Sequence, residues 1–319
     1  MRKVNMANTR IIAIATVGLC LLWTAASADG LDRFKKSIES QIPAGTMTYK
    51  SSKALGDSGF ELVDVVITPP PSDSNPKPQP IAIKTVTVET LDFDAVEIQQ
   101  PPLFAKVKFD GITTGSNAGG FDLKQMAGID NVSADFGIDY KLDTDKKIFT
   151  LKRLELNLNG LGKLETSVVI DGVSADAASK PDEAMNDASL KTADVTYDDH
   201  SLLAKALPIA AAMQGSDPKA LTAMAITVLD GARAGQGAAA QKAIDSLVAY
   251  VEDYQKPKGP LKIVLNPPGK LSNADLSNAK TADEYVKLLG IQINYAGTRA
   301  STPGEVPAKD EDALDKKKE

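Results

Sequence analysis

Alternation of apolar and polar positions is the clearest pattern in the chain, and it is most regular in Lys147–Gly172. Apolar residues recur at every second position on both sides of a turn at Asn159–Lys163. A period of two with one apolar side is typical of an antiparallel sheet that is covered on one face and wet on the other. The stretch therefore predicts a β-hairpin, whose apolar face carries Leu154, Leu156, Leu158, Val168 and Ile170.

Similar alternation extends on both sides of this hairpin. It occurs at Leu103–Gly111, at Val132–Leu142 and again at Leu190–Tyr197. Thr46–Thr68 predicts one or two further strands. Ile81–Ile98 predicts a long strand whose apolar phase shifts, which indicates either a β-bulge or burial on both faces. Because most of the connections are short, the sequence predicts a β-meander.

The period becomes helical between Ser201 and Gln255, in a region rich in alanine. Gly215 with Asp217-Pro218, and Gly231–Gly237, divide it into about three helices. Its apolar stripes are the predicted cover for the sheet. Four stripe residues are candidates to line a space between helices and sheet: Leu203, Leu207, Met213 and Met224.

Shorter elements flank this core. Leu31–Ile42 predicts an amphipathic helix that stops at Pro43 and acts as a lid on one end of the sheet; a membrane-surface helix is the alternative. Pro260–Asn266 and Ile291–Tyr295 predict closing strands. Between them, Thr281–Leu289 predicts a helix that begins with a capping box.

Together these patterns predict a single α+β domain over residues 29–296. Its large curved antiparallel β-meander occupies 44–197 and is covered on one face by the Ala-rich helical segment, 199–256. Closing strands and a short helix fill 260–296. Residues 297–319 are charged and poor in apolar residues, which predicts a disordered tail.

Residues 1–28 have the features of a signal peptide. Basic residues precede the apolar run Ile11–Trp23, which is too short to span a bilayer comfortably, and Ala26-Ser27-Ala28 matches a signal peptidase site. We therefore expect export to the periplasm, cleavage before Asp29 and no transmembrane anchor afterwards; an uncleaved anchor is the alternative. The only cysteine, Cys20, lies in this leader, so the mature chain has no disulfide or zinc–thiolate site.

Composition and charge narrow the function classes. The 319 residues are 43% hydrophobic and 24% charged, which is ordinary for a globular protein. The formal net charge is −6, and without the three basic residues of 1–28 it is −9, from 33 basic and 42 acidic residues. This acidity argues against nucleic acid as a partner and against electrostatic docking onto anionic lipid headgroups.

Candidate chemistry is sparse. His200 is the only histidine, and Asp198 or Asp199 occupies the position of a helix N-cap before it. We expect a cap there rather than a catalytic triad, because no G-x-S-x-G motif is present. Asp92 and Asp94 are predicted to share one side of a strand, either as an exposed polar face or as a calcium or acid–base pair. No catalytic residue, metal ligand set or cofactor is predicted.

One region resembles a known family. The segments FGIDYKLDTDKKIFTLKRLELNLNGLGKLETSVVIDG and ASLKTADVTYDDHSLLAKAL, within about residues 130–207, follow a progression of strand, Asp-containing turn, strand, Gly-containing turn and strand. This progression resembles the β-rich repeats of Gram-negative periplasmic proteins of the AsmA- and YdgA-like kind. The resemblance implies a long curved sheet and an envelope or lipid-related role. The chain differs from that family in its large helical block and in lacking an anchor after cleavage.

Three function hypotheses fit these observations. The first is an exported, non-enzymatic periplasmic protein that binds a lipid or other hydrophobic small molecule between sheet and helices. The alternative is a periplasmic scaffold that docks an envelope protein through the wet sheet face or the proline-rich loop Pro69–Pro80. The third is an envelope hydrolase around His200. None of the three requires a cofactor.

Overall fold

A computed structural model describes residues 29–71, 78–114, 133–174, 187–271 and 273–300. The fold is α+β, as predicted: within these ranges eleven strands form one antiparallel sheet that does not close on itself, and several helices pack beside it. The predicted signal peptide, the middle of the proline-rich loop and most of the predicted tail lie outside the described residues.

The strands follow the predicted alternation closely. Their bounds are β1 Met47–Thr48, β2 Ser51–Ala54, β3 Phe60–Ile67, β4 Ile81–Leu91, β5 Phe104–Thr114, β6 Ser133–Asp143, β7 Ile148–Leu158, β8 Gly162–Asp171, β9 Ser189–Asp199, β10 Leu261–Leu265 and β11 Ile291–Asn294. They lie in the order β1-β3-β4-β5-β6-β7-β8-β9-β10-β11, and β2 also pairs with β3. The predicted hairpin is therefore β7–β8, at the centre of the meander.

Seven helices accompany the sheet in the described ranges. Their bounds are α1 Gly30–Ser37, α2 Phe93–Glu97, α3 Leu202–Met213, α4 Pro218–Arg233, α5 Ala238–Glu252, α6 Asn273–Asn278 and α7 Ala282–Leu289. The helical block thus contains the three predicted helices, although Gly231 lies inside α4 rather than between helices. At the start of α7 the predicted capping box is confirmed, because Thr281 and Glu284 each accept the other's backbone N–H.

The phase shift in β4 falls at Lys84, where pairing with β3 and β5 is interrupted without a change of register; the bulge of this strand lies later, between Val88 and Thr90. Ile83 is 4% exposed and Val86 8%, so both lie on the buried face although they are three residues apart. The apolar pattern of the neighbouring strands shifts at the same place. The residues beside Lys84 are Asp64 in β3, with a φ of 53°, and Gly111 in β5, with a φ of 65°. Glycine suits Gly111, where a Cβ atom would lie 2.9 Å from the Cβ of Lys84. Burial on both faces, the other interpretation of the sequence, is therefore not needed.

The N-terminal end of the sheet is closed by α1 and α2. Phe34 of α1 stacks on Phe60 of β3 with ring centroids 4.3 Å apart, and Phe93 of α2 completes the buried cluster. The lid predicted for the first helix is confirmed. The prediction of a strand through Ile98 is wrong after Leu91, because the carboxylate of Asp92 accepts the N–H of Ala95 and starts α2.

The C-terminal end is closed by α5 and α7, which pack on β11. Val248, Ala249 and Tyr250 of α5 are buried there. The boundary predicted for the tail needs correction, because residues 297–300 belong to the fold. Arg299 donates to Asp245 at 2.8 Å and also pairs with Asp230, so an ion-pair network holds the chain past the last strand.

Candidate functional site

A single row of side chains crosses the sheet from one covered end to the other. In an antiparallel sheet, directly paired residues point to the same face, so the pairing register traces this row from strand to strand. It runs through Phe60, Val88, Val107, Ile138, Leu154, Thr166, Val195, Ile263 and Ile293. Since Phe60 lies under α1, the face that α1 covers is the same face on which Leu154 lies.

Among the described residues, no helix packs closely on the middle of this face. In the described ranges, the closely packed helix–strand pairs are α1 with β2 and β3, and α5 and α7 with β11. Strands β6, β7 and β8 lie between these two ends, and their apolar side chains are all at least partly exposed. We call their apolar surface the open face. Its residues include Phe136, Ile138, Leu151, Leu154, Leu156, Leu158, Leu164, Val168 and Ile170.

All five sheet residues predicted to bind a ligand lie on the open face. Leu156 is directly opposite Leu164, and Leu158 is opposite Gly162. A bulge at Lys152 keeps Leu151 in phase with Leu154, so that Val168 and Ile170 continue the same surface. Leu156 is 37% exposed, the most of the five. The strand pattern therefore predicted this surface correctly.

Of the four helix residues predicted for the same site, two are half-buried and two are strongly exposed. Leu203 and Leu207 of α3 are half-buried, whereas Met213 is 70% exposed and Met224 of α4 is 58% exposed. Within the described part of the chain, α3 packs closely on α4, and α4 on α5, but neither packs closely on a strand. Met213 and Met224 thus face outward and do not line a space against the sheet. An apolar stripe shows that a helix has a face to bury and leaves its partner undefined.

A wall of three tyrosines borders the open face on its C-terminal side. Tyr250 of α5 packs edge-on against Tyr197 of β9 and Tyr295, with ring centroids 6.3 and 5.2 Å away. Tyr197 is paired with Leu164 of the open face and donates its hydroxyl to Asp199 at 3.3 Å. Sequence analysis missed this wall, because the three residues come from separate elements and share no motif.

The electrostatics of the wall keep it uncharged. Burial, with the negative charge of Asp199 as a further cause, raises the pKa of Tyr197 to about 12. Burial raises the pKa of Tyr250 further, and Asp199 again adds to the shift. Tyr250 is 6% exposed, and its hydroxyl has no hydrogen-bond partner among the described residues. The border is therefore an aromatic surface with one buried, unpartnered hydroxyl.

The segment around His200 forms a helix cap, as expected. Asp199 is 4% exposed and accepts the N–H of Leu202 at 2.7 Å and that of Leu203 at 3.3 Å. His200 is half-exposed and contacts its sequence neighbour Asp198 at 3.4 Å. The hydroxyl of Ser201 donates to the carbonyl of Gly160 at 2.9 Å rather than to His200. The described residues around His200 therefore do not form a Ser–His–Asp triad.

The opposite sheet face is polar, and its charges pair across the strands. Glu165 accepts from both Arg153 and Lys163 at 3.1 Å, and Lys106 pairs with Glu89. Such cross-strand pairs stabilise a wet sheet face locally, and exposed pairs contribute little each. The sequence predicted that this face of the hairpin is polar, and its charged side chains Arg153, Lys163 and Glu165 pair with one another.

The acidic pair Asp92 and Asp94 does not share one side of a strand. Asp92 is 9% exposed and accepts backbone N–H groups of Ala95 and Leu103, whereas Asp94 lies on the first turn of α2 and pairs with Arg33. Across the described ranges, no group of three or more His, Cys, Asp or Glu side chains is placed to hold a metal ion. Nor is any described helix both long and apolar enough to cross a membrane.

Comparison with known proteins adds little about function. A family described as "Uncharacterized protein" matches residues 155–296, which is less than half of the 319-residue chain. The matched region begins in β7 and ends just after β11, so it contains β8, the tyrosine wall and the helical block. No curated protein matches the chain.

Proposed function

We propose that this chain is exported to the periplasm and acts as a non-enzymatic carrier or receptor for a hydrophobic ligand, such as the acyl chain of a lipid, held on the open face. The observation that carries the proposal is the cross-sheet apolar row, which helices cover at both ends; over β6–β8 no helix of the described ranges packs closely on it. Large contiguous apolar surfaces on soluble proteins are uncommon, and they mark binding sites.

The dimensions of the open face suit an acyl chain. A strand of 11 residues such as β7 is about 35 Å long at roughly 3.3 Å per residue. One leaflet of a bilayer contributes about 15 Å of hydrocarbon, half of the roughly 30 Å core. The three strands β6–β8 are about 10 Å across at roughly 4.8 Å per spacing. The face can therefore accommodate a chain of leaflet length.

The chemistry of the border supports an apolar ligand as well. The neutral tyrosine wall adds aromatic surface beside β8, and the charged side chains of Arg153, Lys163 and Glu165 lie on the opposite face. Burying a methylene group is worth about 0.8 kcal/mol, so a chain that gains only part of that burial at each carbon still binds with useful affinity. Signal-peptide features in 1–28 support an envelope location for such a ligand.

The alternative function, a scaffold that docks a partner protein, has less support. On the wet sheet face, charged side chains such as Arg153, Lys163 and Glu165 already pair with one another. Residues 72–77 of the proline-rich loop lie outside the described residues. No observation on the described surface favours this function over the first.

Native mass spectrometry tests the proposal directly. The purified full chain is offered palmitic acid, and a Leu156→Gln variant is compared with a Lys152→Gln control. Leu156 lies on the open face and is partly exposed, so the fold should tolerate the change, whereas Lys152 is exposed and pairs with Asp139 on the polar face. We expect Leu156→Gln to weaken palmitate binding about tenfold, since it removes roughly half of a buried leucine's 1.5–3 kcal/mol.

Lys152→Gln should bind palmitate as the wild-type chain does. Absence of uptake by the wild-type chain would refute the proposed ligand class. Equal losses in the two variants would place any binding away from the open face.

A further inference from the structure

Helices α3 and α4 are apolar, yet Ala211 alone is fully buried in them; their other positions are half-buried or exposed. Ala211 is the only buried residue in the 12 positions of α3, and none of the 16 positions of α4 is buried. The large side chains that face outward are Met213 at 70% exposure, Met224 at 58% and Val228 at 67%. Single exposed apolar residues are ordinary, but three large apolar side chains exposed to this degree on two adjacent helices are not.

The outward side of α4 is a continuous uncharged stripe. Met224 and Val228 are one turn apart, and the exposed positions around them carry small or uncharged side chains: Ala220, Ala223, Thr227 and Gly231. Residues three and four apart on a helix lie on the same side, so these form one surface. Between Lys219 and Asp230 the helix has no charged residue.

The hairpin formed by α3 and α4 is held next to the open face by backbone hydrogen bonds at the start of α3. The carbonyl of Leu161, in the β7–β8 turn, accepts the N–H groups of His200, Ser201 and Leu202 at 2.9–3.0 Å. Asp199 caps the same end of α3, and α4 packs along α5 at the other side. The hairpin therefore begins at the end of β7 and β8, next to the surface proposed to hold the acyl chain.

Charge and composition indicate what this surface contacts. Leu202–Leu229 contains Lys205, Lys219 and Asp217 as its only charged residues, a local net charge of +1 in a chain whose net charge is −6. It contains no Trp, Tyr, Phe or Arg, although Trp, Tyr and Arg are the residues that dominate protein–protein hot spots. Leucine, methionine and alanine with a few lysines suit a helix that lies in a lipid interface.

We propose that α3 and α4 form a membrane-docking hairpin, with Met213, Met224 and Val228 inserted among the acyl chains of a phospholipid bilayer. Lys205 and Lys219 are exposed and would lie at the level of the headgroups, where anionic lipid favours them. The overall acidity of the chain does not oppose this contact, because the hairpin itself carries almost none of it. Docking at this place would put the end of the open face at the membrane, where a lipid ligand enters or leaves.

Vesicle flotation tests the docking surface. The full chain is mixed with vesicles of phosphatidylethanolamine and phosphatidylglycerol, and a double variant, Met224→Asp with Val228→Asp, is compared with Ile98→Asp. Ile98 is 62% exposed at the C-terminal end of α2, far along the sheet from the hairpin, and serves as a matched exposed apolar control. We expect the double variant to bind vesicles about tenfold or more weakly, because carboxylates resist entry into the interface. Ile98→Asp should bind unchanged.

Two further measurements keep the inference separate from the ligand proposal. Leu156→Gln should still bind vesicles, so loss of palmitate uptake and loss of docking can be told apart. Size-exclusion chromatography with light scattering examines self-association. A wild-type dimer that the double variant converts to a monomer, together with no vesicle binding, would show that a second copy of the chain covers the hairpin and would overturn the proposal. Equal vesicle binding by wild-type and double variant would overturn it too.

Discussion

The buried hydroxyl of Tyr250 makes an unusual stability prediction. The side chain is 6% exposed between Tyr197 and Tyr295, and its hydroxyl has no partner among the described residues. A buried polar group without a hydrogen bond costs about 1–3 kcal/mol of stability. Tyr250→Phe removes this cost and keeps the ring that forms the wall, so we expect the variant to be more stable than the wild-type chain.

The size of the effect follows from two opposing terms. Removing the desolvated hydroxyl gains about 1–3 kcal/mol, and the small void left by one oxygen atom costs about 0.3 kcal/mol. A net gain of about 1–2 kcal/mol corresponds to a rise in Tm of about 2–6 °C for a domain of this size. Such a shift is well resolved by differential scanning calorimetry.

Tyr295→Phe is the matched control, because the neighbouring ring has a satisfied hydroxyl. It donates to Asp253 at 2.9 Å and accepts the N–H of Lys258 at 2.7 Å. We expect its removal to destabilise the protein by about 1–2 kcal/mol. The Tm should therefore rise for Tyr250→Phe and fall for Tyr295→Phe, although the two rings form one edge-on pair. A fall in Tm for Tyr250→Phe would refute the reasoning, since it would mean that the hydroxyl has a partner.

Other residues near the wall and the helix starts give further predictions. The contribution of Tyr197 to stability should be constant from neutral pH to about pH 10 and then be lost towards pH 12, because burial raises the pKa of Tyr197 to about 12 and the unfolded chain ionises first; urea unfolding between pH 8 and pH 12 measures the loss. Asp199→Ala should cost about 2 kcal/mol in urea unfolding, since it leaves the N–H groups of α3 uncapped. Thr281→Ala should cost about 1 kcal/mol by the same assay, through loss of the capping box of α7. His200→Ala should leave stability and palmitate binding unchanged. This side chain is half-exposed, and its ion pair with the neighbouring Asp198 is an exposed one that contributes little.

Local patterns were sufficient for the strands and for the cap at Asp199. Alternation in the hairpin predicted which side of β7 and β8 is apolar, because the two-residue period of a strand fixes the direction of each side chain once the strand is known. It failed after Leu91, where Asp92 caps a short helix that a pattern of apolar residues does not reveal. The tail boundary failed for a related reason, since Arg299 is held by carboxylates far away in sequence.

The sequence by itself determined the meander, its one-sided apolar face and the helical block that follows it. Only the tertiary structure decided where those helices pack. They were expected over Leu154 and Leu156, but α5 packs at the far edge of the sheet, and among the described residues neither α3 nor α4 packs closely on the central strands. An amphipathic pattern states how much apolar surface an element must bury, while the partner depends on chain connections and on contacts between residues distant in sequence, such as those of Leu161 with the start of α3.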